Sequence, residues 1–115
     1  MESTNPERRG TARRRCSLMI QLRAPEQRYP NRCETTDISP GGCYVKSLFP
    51  LPVGTVVDVS IRTGDTEVQT KGVVKTSDPA LGNGIEFTEM TPSQTLQLQH
   101  YLKTLPEAEA PEFIP

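Results

Sequence analysis

The sequence contains no tryptophan, one histidine, and only three tyrosines and three phenylalanines. So few aromatics argue against a barrel that stacks a run of single-stranded bases, which needs a stripe of exposed rings. The lone histidine, His100, has no nucleophile or carboxylate constellation near it in sequence, so a surface or packing role is expected. Cysteine is scarce and odd in number: Cys16, Cys33 and Cys43 form no C-x-x-C pair. They read as small buried hydrophobes in a reducing compartment, with neither a disulfide framework nor a metal site expected. No apolar run approaches the roughly 18 residues of a membrane span, and no hydrophobic stretch follows Met1. A soluble, cytoplasmic protein without an export signal is the expectation. P-loop, G-x-S-x-G and metal-ligand spacings are missing too. Asp58, Asp65, Glu67 and Asp78 are scattered over strands and turns and do not pair as acid and base. Nothing supplies an activated nucleophile, so no enzyme and no catalytic cofactor are expected.

What is present is asymmetric. The net charge of −1 hides eight arginines against three glutamates up to Arg32, a balance of +5. From Cys33 onward, five basic residues face eleven acidic ones, a balance of −6. An arginine-only arm on an acidic body points to a localised anion site. A solvated basic tail is the plainer reading of the same charges. Arginine, unlike lysine, can fork onto phosphate or a guanine edge and stack on a ring.

The ends, residues 1–6 and 106–115, are polar or Pro-rich without apolar periodicity and read as disordered tails. Between them lie about 100 residues, enough for one modest core. Cys16, Leu18, Ile20 and Leu22 alternate with Ser17, Met19 and Gln21, the period of a strand. Further strands are expected over 33–38, 42–48, 55–63, 66–76 and 85–88. Gly64-Asp65 is a two-residue hairpin signal. Ser39-Pro40-Gly41-Gly42 offers Pro and Gly where a type II turn wants them. Asp78-Pro79 and Gly82-Asn83-Gly84 read as loop punctuation. Thr91-Pro92-Ser93-Gln94 then opens a helix over 92–105, with an N-cap threonine, Pro at N1 and Gln at N3. Leu98, Tyr101, Leu102 and Leu105 share one of its faces. About six strands and one helix predict a mainly β fold: a six-stranded antiparallel β-barrel with a C-terminal α-helix. Its parts would be an arginine arm over 7–16, a barrel over 17–89 and the helix.

Two constellations carry chemistry. One is Arg8-Arg9-Gly10-Thr11-Ala12-Arg13, continued by Arg14 and Arg15; the other is Asp37-Ile38-Ser39-Pro40-Gly41-Gly42. Together they suit a guanine nucleotide. A guanidinium fork satisfies guanine O6 and N7 at once, and a carboxylate such as Asp37 accepts from the N–H donors of the Watson–Crick edge. Gly41 and Gly42 leave room for a planar base against the backbone. Ser39 can bond the ligand or merely brace the turn. Tyr44 could stack on a base, although a strand tyrosine is more often half-buried structure.

Arg8-Arg9-x-x-x-Arg13 resembles the RRxxxR signature of PilZ domains, and residues 37–42 match their D/N-x-S-x-x-G signature at every defined position. Gly84-Ile85-Glu86-Phe87 is similar to the family's late G-h-x-F strand, where h is apolar. The likeness runs from Glu7 to Leu105. It implies a bacterial cyclic di-GMP receptor in second-messenger signalling, whose arginine arm wraps the ligand against the DxSxxG edge. By that resemblance Arg9 and Arg13 bind guanine and phosphate groups, Asp37 a guanine N–H edge, and Ser39, Gly41 and Gly42 the adjacent ligand surface. Arg8 occupies the position that the family associates with an intercalated ligand dimer, hence two molecules per domain. Arg14 and Arg15 lie beyond the motif, as general basic support or direct phosphate contacts. The expected output passes to a separate protein partner once the arm orders on the ligand. Two other readings stay open: a PilZ-like adaptor that works without ligand, and a single-stranded nucleic-acid-binding barrel.

Overall fold

The computed structural model describes residues 14–105. Among these residues seven strands and a helix follow one another: β1 (Arg14–Arg15), β2 (Met19–Arg23), β3 (Asn31–Ser39), β4 (Gly42–Lys46), β5 (Val56–Thr63), β6 (Thr66–Asp78), β7 (Gly82–Phe87) and α1 (Pro92–Lys103). All pairings are antiparallel. The order β3-β2-β5-β6-β7-β4 closes back through β3–β4, giving a six-stranded barrel with β1 added on β3. Closure removes the unpaired edges that an open sheet of this size would expose.

Alternation drives the closure. In β5, Val57, Val59 and Ile61 point inward while Asp58 and Arg62 face solvent. In β6, Val68 and Val74 do the same. Ile20, Ile38, Ile61, Ile85 and Leu98 are almost fully buried and meet in the core. Each such side chain contributes about 1.5–3 kcal/mol on burial. Gly64, at φ +76°, turns β5 into β6 as a two-residue hairpin with a left-handed first position requires. The α1 capping box is complete: Thr91 Oγ1 accepts from Gln94 N, and Gln94 Oε1 from Thr91 N. Leu98 and Leu102 are buried beneath the helix. Gln97 donates to Thr63 and Thr66 Oγ1 at 2.9 and 2.7 Å, tying α1 to the β5–β6 hairpin. His100 is exposed in the last turn of the helix.

Several local expectations are corrected. The strand expected over 16–22 begins only at Met19, and residues 16–18 form a gap between β1 and β2. Thr35 closes that gap. Its Oγ1 donates to Cys16 O at 2.6 Å and accepts from Leu18 N at 2.9 Å. The Ser39–Gly42 connection is not a type II turn, because Gly41 does not adopt a positive φ. Gly41 is instead held by its neighbours: its N–H donates to Ser39 Oγ at 3.1 Å, and its carbonyl accepts from Phe87 N at 3.0 Å. Gly82-Asn83-Gly84 is the start of β7, not loop. A Cβ at Gly82 would sit 2.0 Å from Val45 O, so this glycine permits close strand approach. Asn83 is buried, bonding Leu51 through both its N–H and C=O and donating to Thr76 O. The helix ends at Lys103, two residues short of the expected 105.

The three cysteines are thiols; Cys16 and Cys43 are buried, and partial burial raises the Cys33 pKa. No described helix is long and apolar enough to cross a membrane.

Candidate functional site

The D-x-S-x-x-G segment forms the β3–β4 hairpin. Bulges shape its surroundings. One at Thr36 lets Thr35 and Ile38 both point inward while Asp37 faces out. A second at Lys75 lies in the β6–β7 pair. Between them runs one row of register partners across four strand pairs: Arg15 opposite Asp37, Asp37 opposite Tyr44, Tyr44 opposite Gly84, and Gly84 opposite Thr76. Bulges beside a site re-aim side chains in this manner.

Within the hairpin, the roles differ. Asp37 is half-buried and accepts a long hydrogen bond from Thr36 Oγ1 at 3.4 Å. Ser39 is buried, and its hydroxyl braces the turn at Gly41 N. Gly42 is required by packing: an added Cβ would lie 2.3 Å from Ile85 O. That contact joins the D-x-S-x-x-G hairpin to the Gly84-Ile85-Glu86-Phe87 strand. Gly41 is exposed, and a Cβ there would meet only Ser39 Oγ, at 3.6 Å. Of the two glycines, it is Gly41 that leaves a surface open to a ligand.

Arg15 is exposed and sits by register directly across from Asp37, nearer the hairpin than its place beyond the RRxxxR motif implied. Arg14 pairs with Ile38 through its backbone. Arg8, Arg9 and Arg13, and both expected tails, lie outside the described residues.

Thr35 escaped the sequence reading, and Tyr44 entered it only as a tyrosine more often structural than stacking. Thr35 anchors the chain just after β1, and its signal was only a threonine among threonines. Tyr44 donates from its hydroxyl to Asp78 Oδ2 at 2.6 Å. That hydrogen bond, helped by desolvation and the Asp78 charge, pushes its pKa up to about 12. Tyr44 borders two open grooves. One, of about 540 Å³, runs past Gly41, Thr76 and Glu86. The other, of about 580 Å³, is mostly apolar and runs past Thr36, Leu48 and Leu81. A third groove, about 540 Å³, lies on the β2–β5–β6 arc, crossed by solvated ion pairs of Asp58 with Lys71 at 2.8 Å and Arg23 at 3.8 Å. Among the described residues, no three His, Cys, Asp or Glu side chains converge as a metal site.

A closed six-stranded barrel with an arginine-bearing strand laid on a D-x-S-x-x-G hairpin defines a class of domain. The PilZ domain model matches residues 7–104, and the chain belongs to that family. Solved structures with the same fold include the PilZ domain of CeSA from a cellulose-synthesizing bacterium, at 17% identity and TM-score 0.64, covering 82% of this chain and 97% of that one. The Bacillus subtilis inhibitor of motility MotI/DgrA aligns at 22% identity and TM-score 0.64, over 82% of this chain and 49% of that one. The Borreliella burgdorferi PlzA protein in complex with c-di-GMP aligns at 17% identity and TM-score 0.57, over 88% of this chain and 38% of that one. No curated protein sequence matches significantly.

Proposed function

We propose that this chain is a cyclic di-GMP receptor domain that binds the nucleotide on the outer face of the barrel at the β3–β4 hairpin. The observation that carries the reading is the register of β1: Arg15 lies across from Asp37 and Arg14 across from Ile38. In sequence the RRxxxR motif ends one residue before this strand. Family membership supports the ligand class, as does the likeness to PlzA, a protein solved with c-di-GMP.

In this reading Arg9 and Arg13 fork onto guanine and phosphate oxygens, and Arg8 extends the site to a second ligand molecule. Asp37 accepts from a guanine N–H edge. Ser39 and Gly42 hold the hairpin in shape, and Gly41 presents the open surface. Arg14 and Arg15 add positive charge next to Asp37. The domain binds and does not catalyse; ordering of the arm on the ligand passes the signal to a separate protein partner. The nucleic-acid alternative calls for a row of exposed rings, whereas the strongly exposed aromatics among the described residues, Tyr29 and Phe49, sit on separate loops.

Calorimetry with cyclic di-GMP tests the site. Arg9→Ala, Arg13→Ala and Asp37→Ala should each weaken binding roughly 10- to 100-fold, the worth of one bidentate contact. Full-strength binding by all three variants would overturn the assignment. The fitted stoichiometry, one or two per chain, decides the role given to Arg8.

A further inference from the structure

Tyr44 stands at the centre of the row that contains Asp37, yet neither the RRxxxR nor the D-x-S-x-x-G motif includes it. Its ring lies along β7. A Cβ on Gly82 would be 2.9 Å from Tyr44 Cε1, and one on Gly84 would be 3.7 Å from Cδ2. Opposite edges of the ring therefore rest over two glycines. The hydrogen bond to Asp78 holds the far end of the ring down. One face is thus seated on backbone, and the other is left toward the two grooves that flank it.

A ring covering strand glycines stabilises a sheet by itself. That role alone does not require a place one strand from Asp37, between the bulges at Thr36 and Lys75. Nor does it require two open grooves bordering the residue.

We infer that Tyr44 is a ligand-binding residue: its outward face is the platform on which a guanine base of cyclic di-GMP stacks, with Asp37 beside it in the same row. The inference rests on the cyclic di-GMP reading and adds a contact that neither motif supplies. A flat ring immobilised before the ligand arrives gives stacking area with little further loss of side-chain freedom.

The absence of tryptophan makes the test direct. In the full chain, Tyr44→Trp puts the only indole at the platform, and Tyr29→Trp puts it on the exposed β2–β3 loop as a control. Cyclic di-GMP should quench the emission of Tyr44→Trp while leaving Tyr29→Trp unchanged. By calorimetry, Tyr44→Leu should bind roughly 5- to 100-fold more weakly, and Tyr44→Phe should stay within about 3-fold of the parent, because the ring is what stacks. Circular dichroism reports whether Tyr44→Leu stays folded; if it does not, the Tyr44→Trp emission decides. Unchanged emission from a Tyr44→Trp chain that binds ligand would overturn the inference alone, as would a folded Tyr44→Leu of parental affinity. A parent chain that does not bind cyclic di-GMP would overturn the receptor reading, and this inference with it.

Discussion

Two threonines inside the barrel differ in one respect, and replacing each with valine should move stability in opposite directions. Thr35 is fully buried, donates to Cys16 O at 2.6 Å and accepts from Leu18 N at 2.9 Å. Thr70 is also buried, and its Oγ1 has no hydrogen-bond partner. Valine is nearly isosteric with threonine, so packing changes little. In Thr35→Val, a buried carbonyl and a partly buried amide lose their partner, costing about 2–4 kcal/mol. The added methyl returns about 0.8 kcal/mol. The net is a loss of about 2 kcal/mol, or roughly 10 °C in Tm for a domain of this size. In Thr70→Val no hydrogen bond is lost, and removing a desolvated hydroxyl should stabilise by about 1 kcal/mol. Urea unfolding followed by far-UV circular dichroism measures both without an intrinsic tryptophan. Amide exchange should also show Leu18 less protected in Thr35→Val, because that threonine holds residues 16–18 to β3. The reasoning is refuted if Thr35→Val is as stable as the parent, or if Thr70→Val loses more than about 1 kcal/mol.

The two glycines of the hairpin should separate in the same assay. Gly42→Ala drives a methyl into Ile85 O and should cost about 3 kcal/mol, the upper end of overpacking, whereas Gly41→Ala has open space and should keep parental stability. Alkaline titration followed by tyrosinate absorbance should show one of the three tyrosines losing its proton only near 12, and Tyr44→Phe should abolish that late phase. The folded pKa of Tyr44 is raised above the ordinary 10, so its contribution to stability is intact below pH 10 and fades as pH rises toward 12. Thr91→Ala removes the acceptor for Gln94 N and should cost about 1 kcal/mol, measured as a lower urea midpoint.

Local rules made much of the architecture legible in the sequence. Period-2 alternation through Val57, Val59 and Ile61 needs only neighbouring residues to specify a face, and Gly64 can turn left-handed wherever it sits. The capping box from Thr91 to Gln94 spans three residues, so its chemistry is complete before any tertiary contact forms. Pro40 and Gly41 between two β-branched stretches likewise marked a strand-to-strand turn, the β3–β4 hairpin of the structure.

Only the closed barrel decided the rest. Gly82 and Gly84 carry turn-like composition, yet they belong to a strand because Val45 O and Thr76 Oγ1 come too close for a side chain. No local pattern encodes an approach between β4 and β7, which are some forty residues apart in sequence. Gly41 had the composition of a left-handed turn, but a hydrogen bond from distant Phe87 holds its peptide otherwise. Thr35 became an anchor for the arginine-bearing strand only when β1 and β2 met β3. Tyr44, an ordinary strand tyrosine in sequence, entered the Asp37 row through the register of three strands and the bulges beside them. Periodicity and capping act over a few residues and are written in the chain; register, close approach and the meeting of side chains from different strands are set by barrel closure.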